Sequence, residues 1–241
     1  MASLQPHPNI VRVVDIDPAG PGAIIMPFEG PTLYHVIQNA QPMPPRGWPG
    51  LSRNLLTAIG HLHRHDVIHC DLKPGNLVVD PTNTLKLIDL GGSLIDRPGF
   101  RGEFSHGLDE RGIPRVTLFY RAVELLLGDV SFGKPVDIWA AASIVAEFVV
   151  GAPLFMATTE HKVLKKIFST LGAPTGDSLK YICFLPQWKA ALLCDPTCHV
   201  GLQSVLGTSC KPAEVDWVRQ LLSLHPAQRP CADSALASFP F

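Results

Sequence analysis

His69-Cys70-Asp71-Leu72-Lys73-Pro74-Gly75-Asn76, followed by Leu87-Ile88-Asp89-Leu90-Gly91, places two carboxylates, an ammonium and a carboxamide in short order. These are the groups needed to hold a metal-bound triphosphate and orient an attacking hydroxyl. A carboxylate at Asp71 within hydrogen-bond reach of a hydroxyl can take its proton during attack, which contributes ~10²–10⁴-fold in rate. Lys73, two residues on, can lean into the same cleft and meet charge developing on the transferred group. Asn76 offers a neutral oxygen and Asp89 an anionic one, a hard-oxygen pair suited to Mg²⁺.

The surrounding residues predict elements that bring these groups together. Leu51, Leu55, Leu56, Ile59 and Leu62 recur at helical spacing, so an amphipathic helix is expected from Leu51 to about Arg64, leading directly into His69. Leu77-Val78-Val79-Asp80, the turn Pro81-Thr82-Asn83 and Leu85-Lys86-Leu87-Ile88 read as a hairpin. It would bring Asp71, Asn76 and Asp89 to one mouth. Upstream, Ile10 to Ile16 and Gly22 to Phe28 read as antiparallel strands joined by Asp17-Pro18-Ala19-Gly20-Pro21. Downstream, Gly92 to Pro114 has little periodicity and is expected to be a mobile surface loop. Pro135-Val136-Asp137 starts an apolar helix that ends at Gly151. Further helices are expected over Lys162 to Leu171, Val215 to Leu224 and Asp233 to Ala237.

Composition narrows the classes. With 241 residues, 46% of them hydrophobic, the chain can bury a full core. Lys+Arg 20 against Asp+Glu 21 gives no electrostatic footprint for nucleic acid or an anionic membrane. The longest apolar run, Ile138 to Val150, is interrupted by Glu147 and falls short of the ~20 residues that span a bilayer. No signal peptide is visible at the start, and the six cysteines have no regular spacing. The expectation is an intracellular protein, cytoplasmic or nuclear, with reduced thiols.

Val116-Thr117-Leu118-Phe119-Tyr120-Arg121-Ala122-Val123-Glu124 and Leu171-Gly172-Ala173-Pro174-Thr175 extend the pattern. Together with the His69 and Leu87 segments, they resemble a eukaryotic Ser/Thr protein kinase of the cyclin-dependent kinase-like group, over nearly the whole chain. Small-molecule phosphotransferases of the aminoglycoside- and choline-kinase type share the His-x-Asp-x-x-x-x-Asn pattern of His69 to Asn76. They lack the peptide platform that Val116 to Glu124 supplies.

The resemblance implies an α+β, protein kinase-like fold: residues 1–30 as a remnant of the β-rich small lobe with its hinge, and 31–241 as the mainly helical large lobe. It implies a catalytic set of Asp71, Lys73 and Thr117, with Thr117 linking base and lysine. ATP would be held by Met26, Phe28, Glu29, Lys73, Asn76, Val78 and Asp89, of which Met26 matches the gatekeeper, Pro27 to Glu29 the hinge and Val78 the floor. Mg²⁺ would sit on Asn76 and Asp89. Glu124 is expected to pair with Arg229, and Asp137 and Trp139 to lie in a buried helix under the catalytic loop. Arg121 matches the arginine that favours proline after the phosphoacceptor. Protein substrates and a cyclin-like or other regulatory protein are the implied partners, with no nucleic acid and no membrane.

Other signals are weighed against this frame. His61, His63, His65 and His69 invite a metal reading, since His61/His65 and His65/His69 stand four apart, but the helix is expected to end near Arg64 and His69 already has a role as a buried loop anchor. Cys194-x-x-x-Cys198-His199 lacks a second pair for a zinc site. Cys70 stands where the family has an arginine that captures a phosphorylated activation loop, so dependence on that phosphate is expected to be lost. No Gly-rich loop, Val-Ala-x-Lys strand or Glu-bearing helix precedes Gln5-Pro6-His7-Pro8-Asn9-Ile10-Val11. The alternative is therefore a truncated, catalytically inactive pseudokinase that serves as a binding module. On either reading, residues 1–241 alone are expected to transfer phosphate negligibly.

Overall fold

The computed structural model describes residues 4, 6–17, 23–39, 48–97, 100–101, 109–114, 116–189, 200–208 and 210–240, with backbone alone for 17, 97, 100 and 101. Mixed helices and short strands form an α+β arrangement in which helices predominate.

The expected 51–64 helix begins earlier, as α2 over Trp48–Arg64, after a short α1 over Leu33–Asn39. Its periodic leucines and Ile59 are buried, and Ser52 Oγ returns a hydrogen bond to the Trp48 carbonyl (2.8 Å). The hairpin forms as predicted, with β4 (Leu77–Val79) antiparallel to β5 (Leu85–Leu87) and Leu77 opposite Leu87. Asp80 closes its turn by accepting the Thr82 and Thr84 amides.

Two sequence expectations need correction. The first strand is only β1, Asp15–Asp17, paired with β2, Ala23–Ile25. Asn9 to Val11 instead line up alongside β5, where Val11 N–H meets the Leu87 carbonyl and Leu87 N–H the Asn9 carbonyl. Most of the turn expected between β1 and β2 lies outside the described residues. The 92–114 stretch is not one irregular loop: β6, Leu94–Arg97, pairs with β3, Val67–Ile68, and with β7, Phe100–Arg101. Leu94 and Ile95 have partners to pair with in Val67 and Ile68, just before His69, and that outweighs their polar neighbours. Residues 102–108 lie outside the described set.

After the short α3 (Val123–Leu126), the central α4 spans Pro135–Val150. It starts with proline at its first position, where the missing N–H costs nothing. Gly151 ends it at φ 78°, donating its N–H to the Glu147 carbonyl, a left-handed cap that glycine takes without steric cost. From Val136 to Phe148 every residue of the helix is buried, which is why apolar residues line all its faces there. Trp139, fully buried, stacks on Phe155 at 5.7 Å. Next comes α5, Glu160–Leu171, whose N-cap Thr159 accepts the Lys162 amide. Further helices, Gly176–Ile182, Leu202–Leu206, Pro212–Leu221 and Ala232–Ala237, follow it. Those at Gly176 and Leu202, like α1 and α3, are short and carry too few apolar repeats to be read from sequence. No described helix is long and apolar enough to cross a membrane.

Candidate active site

The catalytic-loop candidates sit between β3 and β4, and α4 fixes the loop's backbone from beneath. Asp137, in the first turn of α4, accepts the N–H groups of His69 (2.8 Å) and Cys70 (3.0 Å) and the Nε2 of His63 from α2 (2.9 Å). This carboxylate holds Cys70 at φ 66°, a left-handed backbone that a side-chain-bearing residue keeps only when its surroundings over-determine it. The turn places Asp71 at the surface of the cleft and His69 fully beneath it. Burial would raise the Asp137 pKa, but the His63 hydrogen bond and the His69 backbone N–H hold it below its ordinary value. Burial pushes the His69 pKa below its ordinary value against the pull of Asp137 and Asp71, so its imidazole is neutral. Its Nδ1 accepts the Asp71 amide (3.2 Å), which leaves the proton on Nε2.

These two shifts set a pH dependence. A group whose folded-state pKa lies below its unfolded value stabilises the fold above the unfolded value, and the contribution fades as pH falls. For His69 the loss begins below its ordinary 6.5. For Asp137 it comes below its ordinary 3.8. His7, lowered by burial and by His61 and Arg64, adds to the loss in the same direction as His69. The urea midpoint is therefore expected to be lower at pH 5.5 than at pH 7.5, and less so in His69→Asn. A flat profile would contradict this assignment of charge.

Asp71 is the hub of the site. Lys73 Nζ reaches its Oδ2 at 2.6 Å; Thr117 brings both its N–H and its hydroxyl to Oδ1 at 3.2 Å. Asn76 Nδ2 donates to the Asp71 carbonyl (2.9 Å) and to Oδ2 (3.2 Å). Asn76 in turn fixes the next strand, because Ile88 N–H donates to its carbonyl (2.9 Å). Asp89 follows at φ 61°, with Oδ1 accepting the Gly91 amide at 3.0 Å. That bond stabilises the turn which brings Gly92 against Asp71. These bonds use neither Asn76 Oδ1 nor Asp89 Oδ2, two oxygens of the kind a hard divalent cation takes.

The nucleotide-base candidates are less convergent. Met26 and Asp89 share a cleft of about 170 Å³ with Ile10, Val11, Ile24 and Leu87. Phe28 is 90% exposed. The Glu29 carboxylate is held by Lys86 at 2.5 Å, and Val78 is buried beside Thr32.

The segment after Thr117 is braced from α4 and α5. Tyr120 donates to Glu147 (2.7 Å), a carboxyl that burial pushes above its ordinary pKa. Glu124 and Arg229 form a fully buried two-pronged pair at 2.6 and 2.7 Å, with Arg229 4.9 Å over the Trp139 ring. Arg121 donates to Glu160 (2.5 Å) and to the Val116 carbonyl (2.8 Å). Sequence reasoning missed His63, Glu147 and Glu160. Glu147 was visible as the lone acid in an apolar run, a sign of a buried partner. The other two carried no such sign.

Elsewhere, His61 Nε2 meets the Leu4 carbonyl (2.9 Å); its ring stacks on that of His7 and lies tilted against that of His65, each at 4.4 Å. Cys194, Cys198 and His199 lie outside the described residues.

The chain belongs to the protein kinase domain family, whose model matches residues 1–239. It is 33% identical over 217 residues to a protein of Oryza sativa subsp. japonica named as cyclin-dependent kinase F-2, covering 88% of this chain and 64% of that one. To the serine/threonine-protein kinase ppk23 of Schizosaccharomyces pombe it is 38% identical over 191 residues, covering 77% of this chain and 44% of the relative. The chain thus spans less than two thirds of the length of both.

Proposed function

We propose that this chain supplies the large lobe of a cyclin-dependent kinase-like Ser/Thr protein kinase, with residues 1–30 as the small-lobe remnant and hinge and 31–241 as the large lobe. The reaction is transfer of the γ-phosphoryl of ATP to protein Ser or Thr. The observation that carries this reading is the convergence of Lys73, Thr117 and Asn76 on the single carboxylate Asp71.

Asp71 accepts the proton of the attacking hydroxyl. Lys73 offers a fixed positive charge at the same oxygen, and Thr117 holds the carboxylate's other oxygen so that its orientation is set before substrate arrives. Asn76 and Asp89 would hold Mg²⁺, which when bound would neutralise phosphate charge. Met26 to Glu29, with Val78, provide the face for the base.

Arg121 favours proline after the phosphoacceptor. Its guanidinium occupies the Val116 carbonyl, next to Thr117, so a backbone N–H arriving there finds its acceptor taken. A residue with no N–H to satisfy loses nothing. The partners implied are proteins with Ser/Thr-Pro sites and a cyclin-like or other regulatory protein.

Residues 1–241 contain no Gly-rich loop or paired lysine, so the test supplies them by fusing a kinase small lobe upstream. In that fusion, Mg²⁺ should strengthen ATP binding, and Asp89→Asn should erase the Mg²⁺ effect while leaving metal-free binding unchanged. An undiminished Mg²⁺ effect in Asp89→Asn would overturn the metal assignment.

A further inference from the structure

Ahead of Thr117, the chain makes a tight turn from Asp109 to Ile113. Asp109 N–H donates to the Ile113 carbonyl (2.7 Å), and Gly112 N–H to the Asp109 carbonyl (3.0 Å). The Asp109 carboxylate accepts the Arg111 and Ile113 amides at 2.9 and 3.1 Å. Gly112 sits at φ 78°, the left-handed position that lets the turn close. Arg111 lies within this turn and points both ways. Its Nε reaches Asp109 (2.9 Å), while Nη1 and Nη2 reach the two oxygens of Glu160 on α5 at 3.2 and 2.9 Å.

The same Glu160 Oε1 also accepts Arg121 Nη1. One carboxylate therefore ties the turn before Thr117 to the arginine after it. Arg111 and Glu160 are about one-third exposed, and an isolated pair of that kind contributes little. Arg121 differs. It is 13% exposed, and its Nε is buried without a hydrogen-bond partner. If Glu160 is removed, this guanidinium keeps its bond to the Val116 carbonyl but loses its counter-charge, and a buried cation so stripped is free to swing toward water.

We infer that the ion-pair chain Asp109–Arg111–Glu160–Arg121 fastens the segment ahead of Thr117 without a phosphate, and that Arg111 and Glu160 are positioning residues for the Val116 carbonyl and so for proline selection. The proline part rests on the proposed function above; the fastening part does not. The network is consistent with Cys70, an uncharged thiol that cannot grip a phosphate. The turn brings its own cation to an acid on α5, so the ordering charge is built into the chain.

The test has two arms. In the 241-residue chain, hydrogen exchange of the Ile113 and Thr117 amides should speed up at least tenfold in Glu160→Gln and Arg111→Ala. Exchange across α4 and the thermal midpoint should stay near those of the parent. Unchanged protection of both amides would overturn the fastening. In the fusion with a small lobe, the kcat/KM ratio for a Ser-Pro over a Ser-Ala peptide should fall at least fivefold in both variants. An unchanged ratio with both peptides phosphorylated would overturn the positioning role. If the parent fusion phosphorylates neither peptide, the proposed function and the proline part fail together, and the exchange arm still decides the fastening.

Discussion

Replacing Arg229 by alanine should lower the unfolding free energy by about 3–5 kcal/mol, the cost of stranding one member of a buried ion pair. Glu124 and Arg229 are essentially inaccessible to water. The guanidinium also donates to the Pro135 and Ser223 carbonyls and covers the Trp139 ring. Its loss therefore leaves a buried carboxylate, two carbonyls and an aromatic face without their partner. Urea unfolding followed by tryptophan fluorescence measures the effect. A change under about 1 kcal/mol would mean that water or another cation reaches Glu124. Replacing both residues with apolar side chains should cost less than either single change, because no charge is then left unpaired.

Asp71→Asn should lower phosphoryl transfer in the small-lobe fusion by ~10²–10⁴-fold, with KM for the peptide nearly unchanged. The amide keeps the size and shape of the carboxylate and can still accept from Thr117. It cannot take a proton from the substrate hydroxyl, and it no longer matches the charge of Lys73 at 2.6 Å. Undiminished turnover would remove Asp71 from the reaction.

What the sequence carried legibly was local. The spacing from His69 to Asn76, the hairpin that follows it and the proline-to-glycine span of α4 each depend on residues close in the chain. Their elements formed within a few positions of the expectation. What it did not carry was pairing at a distance. Val67-Ile68 is too short to announce that it will find Leu94-Ile95, and nothing near Asn9 marks its alignment with β5. His63 looked like one of several histidines until α4 delivered Asp137 to it, 74 residues later. Glu160 reads as an ordinary acid at a helix N-terminus, where the dipole alone justifies it; its second use, bridging Arg111 and Arg121, exists only in three dimensions. Phe28 and Glu29 were placed by likeness alone; Phe28 is 90% exposed and Glu29 pairs with Lys86, not with the Asp71 cluster.

The most direct measurement is transfer of labelled γ-phosphoryl from ATP to a Ser-Pro peptide by the small-lobe fusion, with and without Mg²⁺. The account predicts Mg²⁺-dependent label on the serine, abolished in Asp71→Asn and weaker on a Ser-Ala peptide. Label that appears equally without a divalent metal, or equally in Asp71→Asn, would contradict it.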